Sequence, residues 1–237
     1  MDDPCILFAL RRERTPFCRE FRPFRAFPGA PCWARFCGSV LVAETGVGQA
    51  NVARVLDWLL AKPELDGVPY QPRLIVFAGF AGALTEALQI GDIIVAEEVV
   101  DEHGQSWRTT WPAQRRGRLL TVDQLTATPA EKRRLGGRHR ADAVEMESAP
   151  FAARCTQAGI PFACVRAISD EVQTGLSPAL TTLLSGGTAS PWRVLKTLIR
   201  QPGMLPELLR LARATKIASR QLGRALGELL APGRKTL

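Results

Sequence analysis

The sequence is poor in the side chains from which most nucleophilic and metal sites are built. It has one tyrosine, Tyr70, and two histidines, His103 and His139, which lie far apart. A Ser-His-Asp or Cys-His site therefore has little to draw on, and acid-base chemistry falls to carboxylates. Six cysteines (Cys5, Cys18, Cys32, Cys37, Cys155, Cys164) include no C-x-x-C pair. They read as reduced structural thiols of a cytoplasmic protein, and no metal site is expected. Long apolar runs are missing too: Leu74 to Leu84 and Ile93 to Ala96 are too short or too broken by glycine to cross a bilayer. The acidic start Met1-Asp2-Asp3 does not read as a signal peptide. No repeat or low-complexity tract is visible. With 46% apolar and 23% charged residues over 237 positions, wholesale disorder is excluded and one large domain is expected.

What is present is unevenly spread. The net charge is +8, yet Pro191 to Leu237 alone carries ten basic and two acidic residues, a surplus equal to that of the whole chain. The chain thus divides into a neutral body, residues 1–190, and a basic amphipathic helical extension, residues 191–237. Leucines interleaved with Lys and Arg suit either packing on the body or adsorption to an anionic membrane surface. No nucleic-acid-binding motif accompanies the charge, so nucleic acid is not the expected partner.

Within the body, Cys5 to Leu10 is a continuous apolar run, as in a strand buried on both faces. A charged stretch, Arg11 to Glu20, follows, and Pro23, Pro28, Gly29 and Pro31 mark a turn. Trp33 to Ala43 reads as one strand or as a hairpin bent at Gly38. Next, Thr45-Gly46-Val47-Gly48 leads into a helix with Val52, Val55, Leu56, Leu59 and Leu60 on one face, ending before Pro63. Leu74 to Ala78 is a buried strand expected to close in a turn at Gly79-Phe80-Ala81-Gly82-Ala83, and Asp92 to Ala96 is another strand. Asp101 to Arg118, with Trp107 and Trp111, reads as a surface loop. Leu119 to Val122 is a strand and Pro129 to Leu135 a short helix. Ala143 to Glu147 runs into Ser148, a helix N-cap with Pro150 in the first turn, and the helix stops at Gly159. Phe162 to Ile168 is the last strand, ending in Ser169-Asp170. Alternating strands and helices predict an α/β fold, a three-layer sandwich around a central mixed sheet, with the site at the carboxyl ends of the strands.

Two features recur at strand ends, glycine-rich turns and the carboxylates Glu145, Glu147 and Asp170. Small turns let backbone approach a ligand, which makes Gly46, Gly79, Phe80 and Ala81 candidates for binding; glycine also simply closes tight corners. A carboxylate after an apolar strand is more informative, because Asp and Glu are seldom buried without a partner or a purpose. Glu145 has an alternative role as the partner of an arginine such as Arg166.

Taken in order, Thr45-Gly46-Val47-Gly48, then Ala78 to Ala83 followed by Ile90 to Val95, and above all Val144-Glu145-Met146-Glu147-Ser148-Ala149 with Val165-Arg166-Ala167-Ile168-Ser169-Asp170, resemble the nucleoside phosphorylase and nucleosidase superfamily. The resemblance implies that Glu147 holds ribose hydroxyls, with Glu145 alongside, that Met146 packs against the sugar, and that Asp170 protonates a departing purine, here adenine. The chemistry agrees: breaking an N-glycosidic bond builds positive charge on the sugar and negative charge on the base, so an acid at the base and anions near the sugar are required. Burial at a strand end would keep Asp170 protonated by raising its pKa. In the hydrolytic members a glutamate shortly after the first strand activates water, which implies Glu13. In the phosphorylases, a glycine-rich loop and arginines bind inorganic phosphate as co-substrate. This chain has no glycine before Gly29, and Phe77 and Phe80 stand at two of that family's phosphate-binding positions, leaving Arg11, Arg12 and Gly46 as candidate phosphate ligands beside Arg14. The alternative for the arginines is a solvated charged turn.

The tail adds a narrower likeness. Trp192, Leu195, Leu198 and Ile199, then Gln201 to Pro206 and Leu208 to Arg213, resemble the C-terminal extension of the hopanoid-associated members, which act on adenosylhopane. The resemblance implies a homo-oligomer, a small-molecule purine nucleoside as substrate and no cofactor beyond phosphate. A hydrolytic methylthioadenosine/adenosylhomocysteine-type nucleosidase and a non-catalytic nucleoside-binding protein are the alternatives.

Overall fold

The structure is a computed structural model that describes residues 4–110, 116–178, 180–181, 203 and 205–230. Trp111, Trp192, Leu195, Leu198, Ile199, Gln201, Pro202 and Met204 lie outside the described residues, as do Arg193, Lys196, Arg200, Arg234 and Lys235 of the basic tail.

The first strand, β1 (Cys5–Phe8), is central, paired in parallel with β4 (Val40–Glu44) on one side and β7 (Ile75–Ala83) on the other. Its alternate residues feed two cores, as the two-residue period of a strand requires. Cys5 and Leu7 join Val52, Val55, Leu56 and Leu59 of α2 (Gln49–Leu60) and Phe151 and Cys155 of α4 (Ser148–Gln157). Ile6 and Phe8 join Phe17 of α1 (Arg11–Glu20) and Ala218, Leu222 and Leu226 of α5 (Leu205–Leu230). These helices on opposite faces make the three layers of the sandwich.

Beyond β7 come β8 (Ile93–Asp101), β9 (Ser106–Arg108), β10 (Arg116–Thr121), α3 (Pro129–His139), β11 (Ala143–Glu145) and β12 (Phe162–Asp170). β12 is parallel to β7 and antiparallel to β8, while β10 is parallel to β8 and to β11. β11 then pairs antiparallel with β7, so β7, β12, β8, β10 and β11 close on themselves. At the other edge β3 (Trp33–Cys37) forms a hairpin with β4 through Gly38, at φ +64°, and β2 (Pro23–Ala26) is the edge strand. A separate two-stranded ribbon comprises β5 (Glu64–Leu65) and β6 (Val68–Pro69).

Several sequence expectations are corrected. The charged stretch Arg11 to Glu20 is a helix, so its arginines do not sit in a solvated turn, although Pro16 lies inside it. Pro16 has no N–H to give to the carbonyl of Arg12. That carbonyl instead accepts the Ser219 hydroxyl of α5 at 2.5 Å, and Gly223 of α5 lies directly against Pro16. A tertiary contact thus satisfies the group that the proline leaves open. Pro23 to Ala26 is a strand rather than a turn, with the proline at the first residue of an edge strand, where its missing donor costs least. Gly79 to Ala83 is not a closing turn: β7 runs straight through it, because β12 and β11 supply partners to its end. The expected loop at 101–118 contains β9 and the start of β10. The cap of α4 is Glu147, with Ser148 already helical.

Candidate active site

The segment after β1, the turn after β4, the second half of β7, the end of β11 and the second half of β12 each deliver one part of the site. Glu13 comes from the first turn of α1, directly after β1. Its Oε2 accepts the backbone N–H of Leu10 at 2.8 Å, which is the N3 half of a capping box, and its Oε1 accepts the N–H of Phe80 in β7 at 3.2 Å. The side chain is buried, and that burial pushes its pKa from 4.5 up to about 7; Glu147 adds to the rise, while Arg166 and the two N–H groups oppose it. A carboxylate poised near 7 suits a general base at neutral pH.

Arg166, only 2% exposed, is the counter-ion at the centre. It points from β12 towards α4, donating from Nη2 to Glu145 Oε2 at 3.0 Å and to the Ser148 hydroxyl at 2.7 Å, with its guanidinium 4.4 Å from the centre of the Phe77 ring. Gly79 is there to admit it. A Cβ on that residue would lie 2.7 Å from Arg166 Nη1 and 3.1 Å from Glu13 Oε1. Glu145 is largely consumed by the protein: it also accepts the Thr121 hydroxyl at 2.6 Å and the backbone N–H groups of Glu147 and Ser148, each at 3.0 Å. It therefore frames the site by holding the β11–α4 corner. This is the arginine partnership that its sequence position allowed, and it leaves Glu147 as the carboxylate with capacity to spare. Among the described residues Glu147 takes one bond, from the Gly48 N–H at 3.2 Å, which ties the β4–α2 glycine turn to the β11–α4 corner. Burial and the nearby Glu145 raise its pKa.

Asp170 ends β12. Its Oδ1 accepts the Ser169 hydroxyl at 2.9 Å, and its Oδ2 accepts the ammonium of Lys132 in α3. A Cβ on Gly82 would lie 2.8 Å from that Oδ2, so the second glycine of β7 makes room for the acid as the first does for the arginine. The expected apolar burial of Asp170 is corrected here: its side chain is about a quarter exposed and paired with a buried ammonium. Lys132 was missed in the sequence because it stands among Glu131, Arg133 and Arg134. The available signal was its spacing of three from the buried Leu135, which puts both on the inward face of α3.

The remaining candidates sit around this cluster. Met146, 36% exposed, lies between Glu145 and Glu147, and Ala81 is buried within β7. Arg11 and Arg12 are exposed on α1, with the Arg12 guanidinium 6.0 Å from the Phe80 ring. Arg14 is committed elsewhere, to Glu44 at 2.5 Å and over the Trp33 ring. Gly46, at φ +86°, packs against Asn51, whose amide bonds the Val47 carbonyl, so its role here is to shape the turn. A cavity of about 250 Å³ lined by Asp101, His103, Trp107, Thr121 and Asp123 contains none of Glu13, Glu147 and Asp170.

A family model described as the phosphorylase superfamily matches residues 34–114 and 108–185, together more than half of the chain. The chain belongs to the phosphorylase superfamily. This member is 24% identical over 193 residues to 5'-methylthioadenosine/S-adenosylhomocysteine nucleosidase of Staphylococcus aureus strain MRSA252, covering 68% of this chain and 82% of that protein. Its fold is similar to that of 5'-methylthioadenosine/S-adenosylhomocysteine nucleosidase from Helicobacter pylori, with a TM-score of 0.70 and 20% identity over 97% of each chain. It is likewise similar to the futalosine hydrolase of Helicobacter pylori, with a TM-score of 0.69 and 18% identity over 96% of this chain and 97% of that one. For apo 5'-methylthioadenosine nucleosidase of Arabidopsis thaliana the TM-score is 0.72 at 16% identity, over 99% of this chain and 98% of that one.

Proposed function

We propose that this member of the superfamily cleaves the N-glycosidic bond of an adenosine-type nucleoside by hydrolysis. The observation that carries the reading is that Glu13 and Glu147, far apart in the chain, are both brought within electrostatic reach of Arg166, on the strand that ends four residues later in Asp170. Asp170 gives a proton to the departing adenine, Glu147 holds sugar hydroxyls and steadies the positive charge that develops on the ring, and Met146 lies against the sugar. Glu13, poised near 7, takes the proton of the attacking water. The nucleosidase and hydrolase names of the similar proteins support the same chemistry. Asp170→Asn is expected to lower turnover by about 10²- to 10⁴-fold while leaving ligand binding in place; wild-type turnover in that variant would remove Asp170 from the acid role. Failure to release base from adenosine, methylthioadenosine, inosine or adenosylhopane, with or without phosphate, would leave a nucleoside-binding protein.

Phosphorolysis is the second reading, favoured by the exposed Arg12 beside Phe80, whose N–H binds Glu13. The product separates the two. Free sugar formed without phosphate supports Glu13 as the base; ribose-1-phosphate that tracks added phosphate would reassign the site to Arg11 and Arg12.

The tail supports a lipid-linked substrate, adenosylhopane, as the finer assignment. On α5, Leu205, Leu209 and Ile217 are exposed on the same helix as Arg213, Lys216 and Arg220. Basic side chains near an anionic leaflet contribute about 1 kcal/mol each before screening, enough together for reversible adsorption. No described helix is long and apolar enough to cross a membrane. Sedimentation with anionic vesicles is expected to retain the protein at low salt and release it at high salt; no retention would assign these leucines to packing or to a homo-oligomer interface.

A further inference from the structure

Lysine is almost never fully buried, because removing its ammonium from water costs several kcal/mol, about what a good pairing returns. Lys132 is 1% exposed. The other cations of α3, Arg133, Arg134 and Arg138, are all exposed, so the helix is not uniformly charged and Lys132 is singled out by its position. The helix is set by its N-cap, where the Thr128 hydroxyl accepts the Glu131 N–H at 3.2 Å, with Pro129 in the first turn. That placement drives Nζ onto two oxygens, Asp170 Oδ2 and, at 2.9 Å, the carbonyl of Glu171. A Cβ on Gly82 would lie 2.8 Å from the same Oδ2, so there is no space there for even a methyl group. The carboxyl group is therefore clamped through one oxygen, and Oδ1, bonded only to the Ser169 hydroxyl among the described residues, is the oxygen available to a ligand.

We propose that Lys132 is a positioning residue that acts through Asp170, fixing Oδ2 and balancing the negative charge left on the carboxyl group when Oδ1 gives up its proton. The proposal rests on the glycosidic cleavage inferred above. As the bond from the sugar carbon to the base breaks, its electron pair goes to the base; the Asp170 O–H bond breaks, a base N–H bond forms, and a carboxylate remains. Lys132 keeps its own protons throughout and supplies a fixed positive charge already in place, so no reorganisation is needed at the moment of transfer. Asp170 regains its proton from solvent between turnovers.

Lys132→Gln tests this, since an amide keeps a donor for the two oxygens but removes the charge. On whichever nucleoside the wild type cleaves, K132Q is expected to lower kcat about 10- to 100-fold and to leave KM within about threefold. In the Asp170→Asn background the same change is expected to add nothing, because the charge has no acid left to serve. Wild-type kcat in folded K132Q, or losses that multiply in the double variant, would overturn the proposal. Should K132Q not fold, the K132M/D170N protein, which buries neither charge, carries the test: it must fold and match D170N in activity, and either a further loss or a failure to fold would make Lys132 a purely structural residue. A wild type that releases no base from any nucleoside refutes the function; D170N-sensitive turnover that ignores Lys132 refutes only its role.

Discussion

Replacing Glu13 by Gln separates what the site costs the fold from what it does chemically. In the unfolded chain this carboxyl group titrates near 4.5; in the folded protein burial pushes it to about 7. Between those pH values the folded state holds a proton that the unfolded state has lost, so this group makes folding less favourable as pH rises, and the deficit is complete above about pH 7. At about 1.4 kcal/mol per pH unit it amounts to about 3 kcal/mol. Glutamine never ionises and carries none of it. The amide does turn an N–H towards one of the two backbone donors, Leu10 or Phe80, at a cost of about 1–2 kcal/mol. That term is present at every pH and cancels when two pH values are compared. Urea unfolding of both proteins at about pH 5 and about pH 8.5 should therefore find E13Q gaining about 2–3 kcal/mol on the wild type between the two. Activity should move the other way: wild-type kcat/KM should rise with pH through about 7, as the base becomes ionised, and E13Q should lose about 10²- to 10⁴-fold. A stability difference that is the same at both pH values would refute the buried, proton-retaining Glu13.

Three further perturbations probe the frame. Gly82→Ala puts a methyl carbon 2.8 Å from Asp170 Oδ2, so it should lower kcat about tenfold or more with little change in KM, as steady-state kinetics would read. Arg166→Met strands Glu145 as a buried charge without its counter-ion and should cost about 3–5 kcal/mol in chemical denaturation. Gly223→Ala meets Pro16 Cβ at 2.7 Å and the Phe17 backbone nitrogen at 2.9 Å, and should destabilise by about 1–3 kcal/mol despite the better helix former. Limited proteolysis should then cut α5 sooner than in the wild type; unchanged protection would mean that the α1–α5 contact is dispensable.

Short-range patterns were enough for much of this protein. The continuous apolar runs at Cys5, Leu74, Asp92 and Phe162 announced strands buried on both faces, the spacing of Val52 to Leu60 announced α2, and the carboxylates after apolar strands pointed to Glu145, Glu147 and Asp170, because a buried strand end seldom carries a carboxylate without a partner or a purpose. Family resemblance added Glu13, which composition alone would have left inside a charged stretch. What the sequence could not show depends on partners distant along the chain. β7 continues through Gly79 and Gly82 because β12 and β11 pair with it, and those glycines exist for Arg166 and Asp170 rather than for a turn. Helix α1 survives Pro16 because Ser219, some two hundred residues later, takes up the carbonyl that the proline leaves open. Glu145 and Glu147 are indistinguishable by type and spacing, yet one is spent on Arg166, Thr121 and Ser148 while the other keeps oxygen to offer. Lys132 looks like any surface lysine until α3 docks and carries its ammonium out of water onto Asp170. Residue type and local periodicity determine which elements form and which groups can do chemistry; burial and pairing across the sheet decide which of those groups are free to do it, since desolvation and hydrogen bonding exist only once distant segments meet.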